Sequence, residues 1–279
     1  MAAAVKILTL IDIVFILMLM LSASFTGVVS ELVYCAAFFI PFAIGFYYSK
    51  RLKYEREEQR GLFEPNDRFF TLKKEKIPYF IPLIFPTVAI VFVLAALTSL
   101  LLTYMGFANA EIENQGIVTM LISHALAPAI FEELLFRYIP MKLISPYSKR
   151  LCVLLSALYF ALIHTNLFQM PYAFAAGVIF MIIDLALDSV WPSVILHFIN
   201  NAFSVVWMKY CVNEINMSIF IGILVALSVI SMVFVLVNRK KYITSVRSAL
   251  DIGAGLAMTN APVALVVISM YISLMNLLA

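Results

Sequence analysis

Long apolar runs constrain the fold of this chain more than any other feature. About nine segments are apolar over a length that can cross a bilayer, which takes about 20 residues per α-helix. They are approximately 7–29, 32–49, 79–104, 117–139, 151–168, 171–187, 191–209, 216–237 and 257–278. Hydrophobic residues make up 64% of the chain, and a soluble protein of 279 residues could not bury that much apolar surface. The sequence predicts an all-α, polytopic transmembrane helix bundle with about 8–9 membrane helices.

The charges between these runs predict the orientation of the chain in the membrane. Basic residues fall on one side if the segments alternate in direction: the connection 50–76, Lys142, Lys149, Arg150, Arg239, Lys240, Lys241 and Arg247. The opposite side receives Glu111, Glu113 and Glu214, with Lys209 as the exception. Cytoplasmic connections carry an excess of Lys and Arg. We therefore expect a multi-pass protein of the cell membrane with a cytoplasmic N-terminus.

The fourth segment carries charges inside an apolar run. Glu132, Glu133 and Arg137 lie in the stretch 131–137, and ionisable residues at hydrocarbon depth are typical of functional sites. Glu133 and Arg137 are four residues apart, so they share a helix face and can pair. Glu132, turned by about 100°, keeps no local partner and suits general base or acid chemistry. The alternative is a charge cluster that snorkels to the cytoplasmic interface.

The fifth segment adds a histidine near its end. His164 and Glu132 lie at similar sequence distances from the turn near Ser148. An antiparallel hairpin would therefore bring the two side chains to a similar depth. The alternative is an ordinary interfacial histidine.

The seventh segment carries His197 and Asn201, which are four residues apart and share a helix face, while Asn200 is expected to point elsewhere. Such a pair can donate hydrogen bonds to an oxyanion. The alternative is a polar contact that holds two helices together.

Three further polar residues are candidates of lower rank. His124 lies two turns before Glu132, where a structural or entrance role is expected. Asp184 and Asp188 are four apart at the end of the sixth segment, where we expect an interfacial role, with ion coupling as the functional alternative.

Taken in order, these motifs resemble a known family. The motifs are Glu132-Glu133-x-x-x-Arg137, Phe160-x-x-x-His164 and His197-x-x-x-Asn201, with Pro128, Phe136, Gly177 and Ser189-x-Trp191-Pro192 around them. The order on successive membrane segments is similar to that of the CPBP family, the CAAX-protease and bacteriocin-processing intramembrane peptidases, also called the Abi family. The resemblance covers about residues 117–208 and divides a single membrane domain, 1–279, into N-terminal helices with a basic cytoplasmic loop (1–116), a catalytic helix core (117–208) and C-terminal helices (209–279).

The resemblance implies an intramembrane endopeptidase with a definite set of roles. Glu132 would activate water together with His164. His197 and Asn201 would stabilise the tetrahedral oxyanion. Glu133 and Arg137 would hold the site together.

The resemblance leaves the cofactor and the substrate open. The family is often labelled metalloprotease, and Glu132, His164 and His197 could supply three zinc ligands, as in catalytic zinc sites. The same side chains could polarise water with no metal. Expected partners are the lipid bilayer and a peptide or lipidated protein substrate, including leader-type peptides. The small net charge of +3 gives no reason to expect a nucleic acid.

Two other classes of function compete with a peptidase. An ion-coupled transporter would use Glu132, Asp184 and the histidines as a proton relay, but the sequence shows no internal repeat of the kind that transporters carry. A non-catalytic membrane scaffold, for example a bacteriocin-immunity protein, would keep the fold without needing Glu132.

Overall fold

The computed structural model describes residues 1–60, 68–107, 116–211 and 213–250, together with residues 262, 266, 267, 269, 270, 272 and 273 of the C-terminal segment. Nine helices and no strand occur in the four continuous ranges, which confirms the all-α prediction. The helices are α1 (Ala2–Ala23), α2 (Gly27–Arg60), α3 (Lys74–Tyr104), α4 (Ile117–Leu143), α5 (Lys149–Leu162), α6 (Met170–Leu187), α7 (Trp191–Tyr210), α8 (Glu214–Val237) and α9 (Arg239–Leu250).

Helices α1 to α8 correspond to the first eight apolar segments. By length and composition, six of them can cross a membrane: α1, the part Gly27–Lys53 of α2, α3, α4, α6 and α8. Helix α5 is shorter, at 14 residues, and α7 carries the polar side chains of the seventh segment. The predicted ninth segment, 257–278, lies outside the described residues except at the isolated positions given above, which are helical.

The charges of the connection 50–76 predict a solvated cytoplasmic connection, with a partly helical, interfacial one as the alternative, and the structure describes residues 50–60 and 68–76 of it. Helix α2 continues through its first part to Arg60, and the short turn Arg68–Phe70 packs against the bundle. The side chain of Phe69 is buried, and its carbonyl accepts a hydrogen bond from the Val190 amide at 2.9 Å. The Phe70 carbonyl accepts from Trp191 Nε1 at 2.8 Å. This connection therefore fixes the turn between α6 and α7.

Helices α5 and α6 pack at very close range. Helix α5 is buried along most of its length, and Ser148 caps its start by accepting a hydrogen bond from the Leu151 amide at 3.2 Å. A Cβ atom at Gly177 of α6 would lie 2.8 Å from the Cα atom of Ala157 in α5. Only glycine permits this approach, because that distance is too short for a carbon contact. The pair places the end of α5 beside the start of α6.

Candidate active site

Helix α4 departs from regular α-helical geometry where it carries the predicted site. It is π-helical over Leu121–Leu126 and again over Leu134–Tyr138. Such turns are rare and occur frequently at functional sites. Pro128 and Pro140 each follow one of these turns, and proline has no N–H to donate to the carbonyl four residues earlier. These carbonyls belong to His124 and Phe136, and side chains from other helices bind both of them.

Glu133 is the buried centre of the site. Its Oε1 atom lies 2.7 Å from Nδ1 of His197 on α7, and its Oε2 atom lies 3.2 Å from Nε of Arg137. Both Glu133 and Arg137 are fully buried. The pairing of Glu133 with Arg137 agrees with the spacing of the sequence, and the contact with His197 adds a link between α4 and α7.

Arg137 is held on its other sides by α5. Its Nη1 atom donates to Ser156 Oγ at 3.2 Å and to the Phe136 carbonyl at 3.1 Å. The same carbonyl accepts a hydrogen bond from Ser156 Oγ at 2.5 Å. The guanidinium carbon lies 4.4 Å from the ring centroid of Phe160, within the range of a cation–π contact. A carbonyl that Pro140 cannot engage thus anchors α5 to α4.

His197 is oriented by its contact with Glu133. The carboxylate can only accept, so Nδ1 of His197 carries the proton of this hydrogen bond. The other ring nitrogen, Nε2, then points to Glu132, whose Oε2 atom lies 3.9 Å away. The Glu132 side chain is 16% exposed, whereas that of Glu133 is 0% exposed, so the adjacent carboxylates occupy different environments.

His164, just after the end of α5, is oriented by the last turn of that helix. Its Nδ1 atom lies 2.8 Å from the Phe160 carbonyl oxygen, which can only accept, so Nδ1 donates. The remaining nitrogen, Nε2, is then an acceptor in the neutral ring. The rings of His164 and His197 both pack edge-on against Phe160, with centroid distances of 5.0 and 5.6 Å. Phe160 therefore packs against both histidine rings.

Asn201 is held in place by the His124 carbonyl, which Pro128 leaves without a backbone donor. Its Nδ2 atom donates to the His124 carbonyl at 3.0 Å, and its Oδ1 atom accepts from Asn200 Nδ2 at 3.3 Å. The amide nitrogen of Asn201 carries a second N–H for another acceptor. The expectation that Asn200 points elsewhere is wrong, because Asn200 bonds to Asn201 and lines the same cavity.

A cavity of about 550 Å³ collects the predicted catalytic side chains. Glu132, His164, His197 and Asn201 all line it. Glu133 and Arg137 lie behind this wall, where they support His197.

Sequence reasoning missed several polar side chains of the cavity wall. They are Tyr34, Ser123, Gln169, Tyr172, Asn200 and Ser204. Gln169 and Tyr172 come soon after His164 in sequence, so a tight turn between α5 and α6 was the available signal for them. Tyr34 comes from α2, and no sequence pattern connects it to the site. His124 also lines the cavity, with Nδ1 2.7 Å from Ser123 Oγ.

The interfacial role expected for Asp184 is wrong. Asp184 is fully buried, and its Oδ1 atom accepts a hydrogen bond from the backbone amide of Ser193 at 3.0 Å. Ser193 lies in the first turn of α7, where backbone N–H groups have no partner within the helix. Asp184 therefore caps α7 and fixes the start of the helix that carries His197. Asp188 ends α6 in a left-handed conformation, with φ 57°.

The predicted zinc ligands do not fit a metal site as they lie. In the part of the chain that the structure describes, no three His, Cys, Asp or Glu side chains are grouped as ligands of one ion. Zinc ligands lie about 2.0–2.2 Å from the metal when they are nitrogen or oxygen atoms. A zinc requirement stays a prediction.

Comparison with protein-family models gives one match to this part of the chain. Residues 114–203 match the family described as type II CAAX prenyl endopeptidase Rce1-like. No curated protein and no solved structure matches the chain. The matched residues contain all three motifs, whereas Tyr34 and Ser204 of the cavity wall lie outside them.

Proposed function

We propose that this membrane protein is an intramembrane endopeptidase, because residues 114–203 match the Rce1-like family of CAAX prenyl endopeptidases. It hydrolyses peptide bonds of membrane-associated or leader-type peptides, or of lipidated proteins, by water activated at Glu132 and His164. The observation that carries the proposal is that Glu132 of α4, His164 just after α5, and His197 and Asn201 of α7 line one cavity.

Glu132 is the proposed general base. Its carboxylate accepts a proton from water while the water oxygen attacks the carbonyl carbon of the scissile bond. His164 Nε2 accepts a hydrogen bond from the same water and so orients it. The tetrahedral intermediate then re-forms its carbonyl as the C–N bond breaks, and Glu132 gives its proton to the leaving amine nitrogen, which restores the carboxylate and completes the hydrolysis. Partial exposure to the cavity lets Glu132 reach water while Glu133 stays buried.

His197 and Asn201 form the proposed oxyanion site. The second N–H of the Asn201 amide can donate to the negative oxygen of the tetrahedral intermediate. His197 can donate a hydrogen bond from Nε2 when both ring nitrogens carry protons. Its Nδ1–H keeps its hydrogen bond to Glu133 during the reaction. Donors that are already fixed before the reaction stabilise the developing charge without reorganisation. The His124 and Glu133 contacts provide this fixation.

The decisive experiment replaces Glu132 by Gln, which keeps the shape of the side chain and removes the base. Purified wild-type and Glu132→Gln proteins are assayed on a quenched peptide library, with Glu214→Gln as the matched control because Glu214 is exposed at the start of α8. We expect cleavage by the wild type and the control and none by Glu132→Gln. Equal cleavage by all three would remove Glu132 from the reaction.

The same assay decides between the remaining mechanisms and functions. Activity that survives a chelator supports the metal-free route, and activity lost to chelator and restored by zinc would make Glu132, His164 and His197 ligands. An absence of cleavage by the wild type would favour a scaffold or a carrier.

A further inference from the structure

The candidate catalytic cavity lies at one end of the helix bundle. Its wall uses α4 from Ser123 to Glu132 and α6 from Tyr172 to Phe180. It also uses α7 from His197 to Met208 and His164 just after the end of α5, so the cavity extends from this end to about the middle of these helices. Consecutive spans joined by short connections run in opposite directions. The first parts of α4 and α6 and the last parts of α5 and α7 therefore meet at the same end.

The basic residues gather at the other end. Lys76, in the first turn of α3, donates from Nζ to the Leu187 carbonyl at the end of α6, at 2.9 Å. Lys241 of α9 donates to the Tyr79 hydroxyl at 2.6 Å. These contacts join the start of α3, the end of α6 and α9.

The start of α5 belongs to this same end of the bundle. Arg150 donates from Nε to the Leu250 carbonyl at the end of α9, at 2.9 Å. The described connections at the cavity end, residues 105–107, 163–169, 211 and 213, contain no Lys or Arg, and Lys209 in the last turn of α7 is the exception at this end.

We infer that the cavity opens toward the extracytoplasmic side of the membrane, and that its substrates are peptide segments presented from that side. The inference rests on the proposed peptidase function for the substrate and on the positive-inside rule for the orientation. The basic end faces the cytoplasm, so the cavity occupies the opposite half of the bilayer. Secreted or translocated peptides and the outer ends of membrane proteins reach such a site directly, whereas the C-terminal tail of a cytosolic protein does not.

Cysteine accessibility tests the orientation without any need for activity. Native Cys35, Cys152 and Cys211 are replaced by Ser or Ala, and single cysteines are introduced as Glu214→Cys at the cavity end and Lys73→Cys at the basic end. Both positions are exposed. A membrane-impermeant maleimide added outside intact cells should label Glu214→Cys, and should label Lys73→Cys only after permeabilisation. The reverse pattern, or labelling of both from outside, would overturn the inference.

A second arm tests the side from which substrate is taken. An impermeant quenched peptide that the purified enzyme cleaves is added to the same intact cells carrying wild type or Glu132→Gln. We expect cleavage by wild type only. Cleavage only after permeabilisation would overturn the extracytoplasmic substrate. If the purified enzyme cleaves no peptide of the library while Glu214→Cys is labelled from outside, the proposed peptidase function fails and the orientation stands.

A second cavity at the basic end carries an independent inference. It measures about 600 Å³ and lies between α3, α6 and α9. Lys76, Lys240 and Lys241 line it, against one carboxylate, Glu75. Three membrane-spanning helices begin or end here, at Lys74, Leu187 and Val237, which places the cavity at the level of lipid headgroups.

The aromatic residues of this cavity add directed hydroxyl groups. Tyr79 and Tyr242 line it, and the Tyr242 hydroxyl donates to the Tyr79 carbonyl at 3.0 Å. Burial and the neighbouring Tyr79 raise the pKa of Tyr242, so its hydroxyl stays neutral. Tyrosine is enriched at the membrane–water interface. Helix α9 itself carries four basic residues and no acidic one, as do helices that lie on anionic membrane surfaces.

We propose that this second cavity binds the phosphate headgroup of an anionic phospholipid. Basic pockets between membrane helices on the cytoplasmic side suit such headgroups. The probe is fluorescent phosphatidylglycerol, titrated against the full chain in detergent, with inorganic phosphate and glycerol phosphate as soluble competitors. We expect the double variant Lys240→Ala/Lys241→Ala to weaken binding about tenfold or more. Arg247→Ala, which removes an exposed charge of the same helix outside the cavity, should change binding less than twofold.

Two outcomes would overturn this assignment. An equal loss in Arg247→Ala would show that the basic helix face binds lipid without using the cavity. Displacement of the lipid by millimolar inorganic phosphate or glycerol phosphate would identify a soluble phosphate as the ligand.

Discussion

The carboxylate of Glu133 links Arg137 on α4 to His197 on α7. One oxygen contacts Arg137 on its own helix and the other contacts His197 on α7. Removing one partner of a buried ion pair destabilises a protein far more than replacing both partners by apolar side chains, because it leaves one buried charge without compensation. The contribution of Glu133 therefore lies in matching both neighbours at once, which fixes the imidazole of His197 as well as the guanidinium of Arg137.

The first prediction concerns this ion pair. Arg137→Ala leaves Glu133 without its cation, and we expect a loss of stability of about 3–5 kcal/mol. The double variant Glu133→Gln/Arg137→Met removes both charges and should be more stable than Arg137→Ala alone. Thermal unfolding in detergent of the single and double variants measures the coupling. Equal melting temperatures for wild type and Arg137→Ala would show that the pair does not support the fold.

Sequence spacing predicts only the local half of this arrangement. Glu133 and Arg137 are four residues apart on one helix, so their contact is a consequence of helical geometry. The contact of Glu133 with His197 joins residues 64 positions apart and depends on how α4 and α7 pack. Asp184 shows the same limit, because its position at the end of an apolar run indicates an interface, while the fold turns it inward to cap α7.

At the scale of the helix, the prolines of α4 leave backbone carbonyls free to bind side chains of other helices. Pro128 leaves the His124 carbonyl without the usual backbone donor four residues later, and Asn201 from α7 binds that carbonyl. The helix thus uses a missing backbone hydrogen bond to place an amide at the cavity wall. Pro128 can be read directly from the sequence, but the residue that binds the His124 carbonyl depends on tertiary packing. The two π-helical turns have no sequence pattern that would predict them.

Pro128→Ala therefore has opposite effects on stability and activity. The alanine N–H can bind the His124 carbonyl and compete with Asn201, so peptide cleavage should fall by about tenfold, less than the 10²–10³ expected when an oxyanion donor is removed outright. Stability should stay equal or rise, because proline inside a helix costs about 3 kcal/mol.

Peptide cleavage rates and detergent melting curves of Pro128→Ala are measured beside Pro41→Ala, a proline inside α2. The control should keep its rate. Unchanged cleavage by Pro128→Ala would show that Asn201 does not depend on this proline.

The contact of α5 with α6 supports a further prediction. Gly177→Ala places a methyl group 2.8 Å from the Ala157 backbone, so the helices must separate, at a cost of about 1–3 kcal/mol. Gly222→Ala in α8 meets no atom within 4 Å and should be neutral or slightly stabilising. Melting curves of both variants give the comparison. If the two substitutions have the same effect, the close approach of α5 and α6 does not contribute to stability.

At the scale of the whole molecule, hydropathy predicts the number and positions of the membrane helices, whereas it does not predict the contacts within the site. The first eight apolar segments predict α1 to α8 because a bilayer imposes length and composition on each crossing. No such constraint acts on the chain directly after α8, so α9 is a helix where the charges indicate only a basic connection. The two cavities follow the same asymmetry of charge: the proposed catalytic groups line one cavity and the lysines line the other.

The N-terminal helix α1 packs against the candidate catalytic core, and the last prediction tests whether the two unfold together. Phe15 of α1 is buried against Phe136 of α4, with ring centroids 5.5 Å apart, and Thr9 bonds to the Tyr159 hydroxyl of α5 at 2.7 Å. Phe15→Ala should cost about 3–5 kcal/mol through the cavity it leaves. We expect a single unfolding transition that shifts as a whole, by fluorescence and by circular dichroism, and lower peptide cleavage near the shifted midpoint.

Phe25→Ala is the matched control, because Phe25 lies in the connection after α1 with 43% of its surface exposed. This variant should melt with the wild type. A Phe15→Ala protein that unfolds in two steps, with the core transition unmoved, would divide the chain into an N-terminal unit and a separate catalytic unit. The position of Phe136 is the reason to expect a single shift, because its ring contacts α1 while its carbonyl binds Arg137 and Ser156.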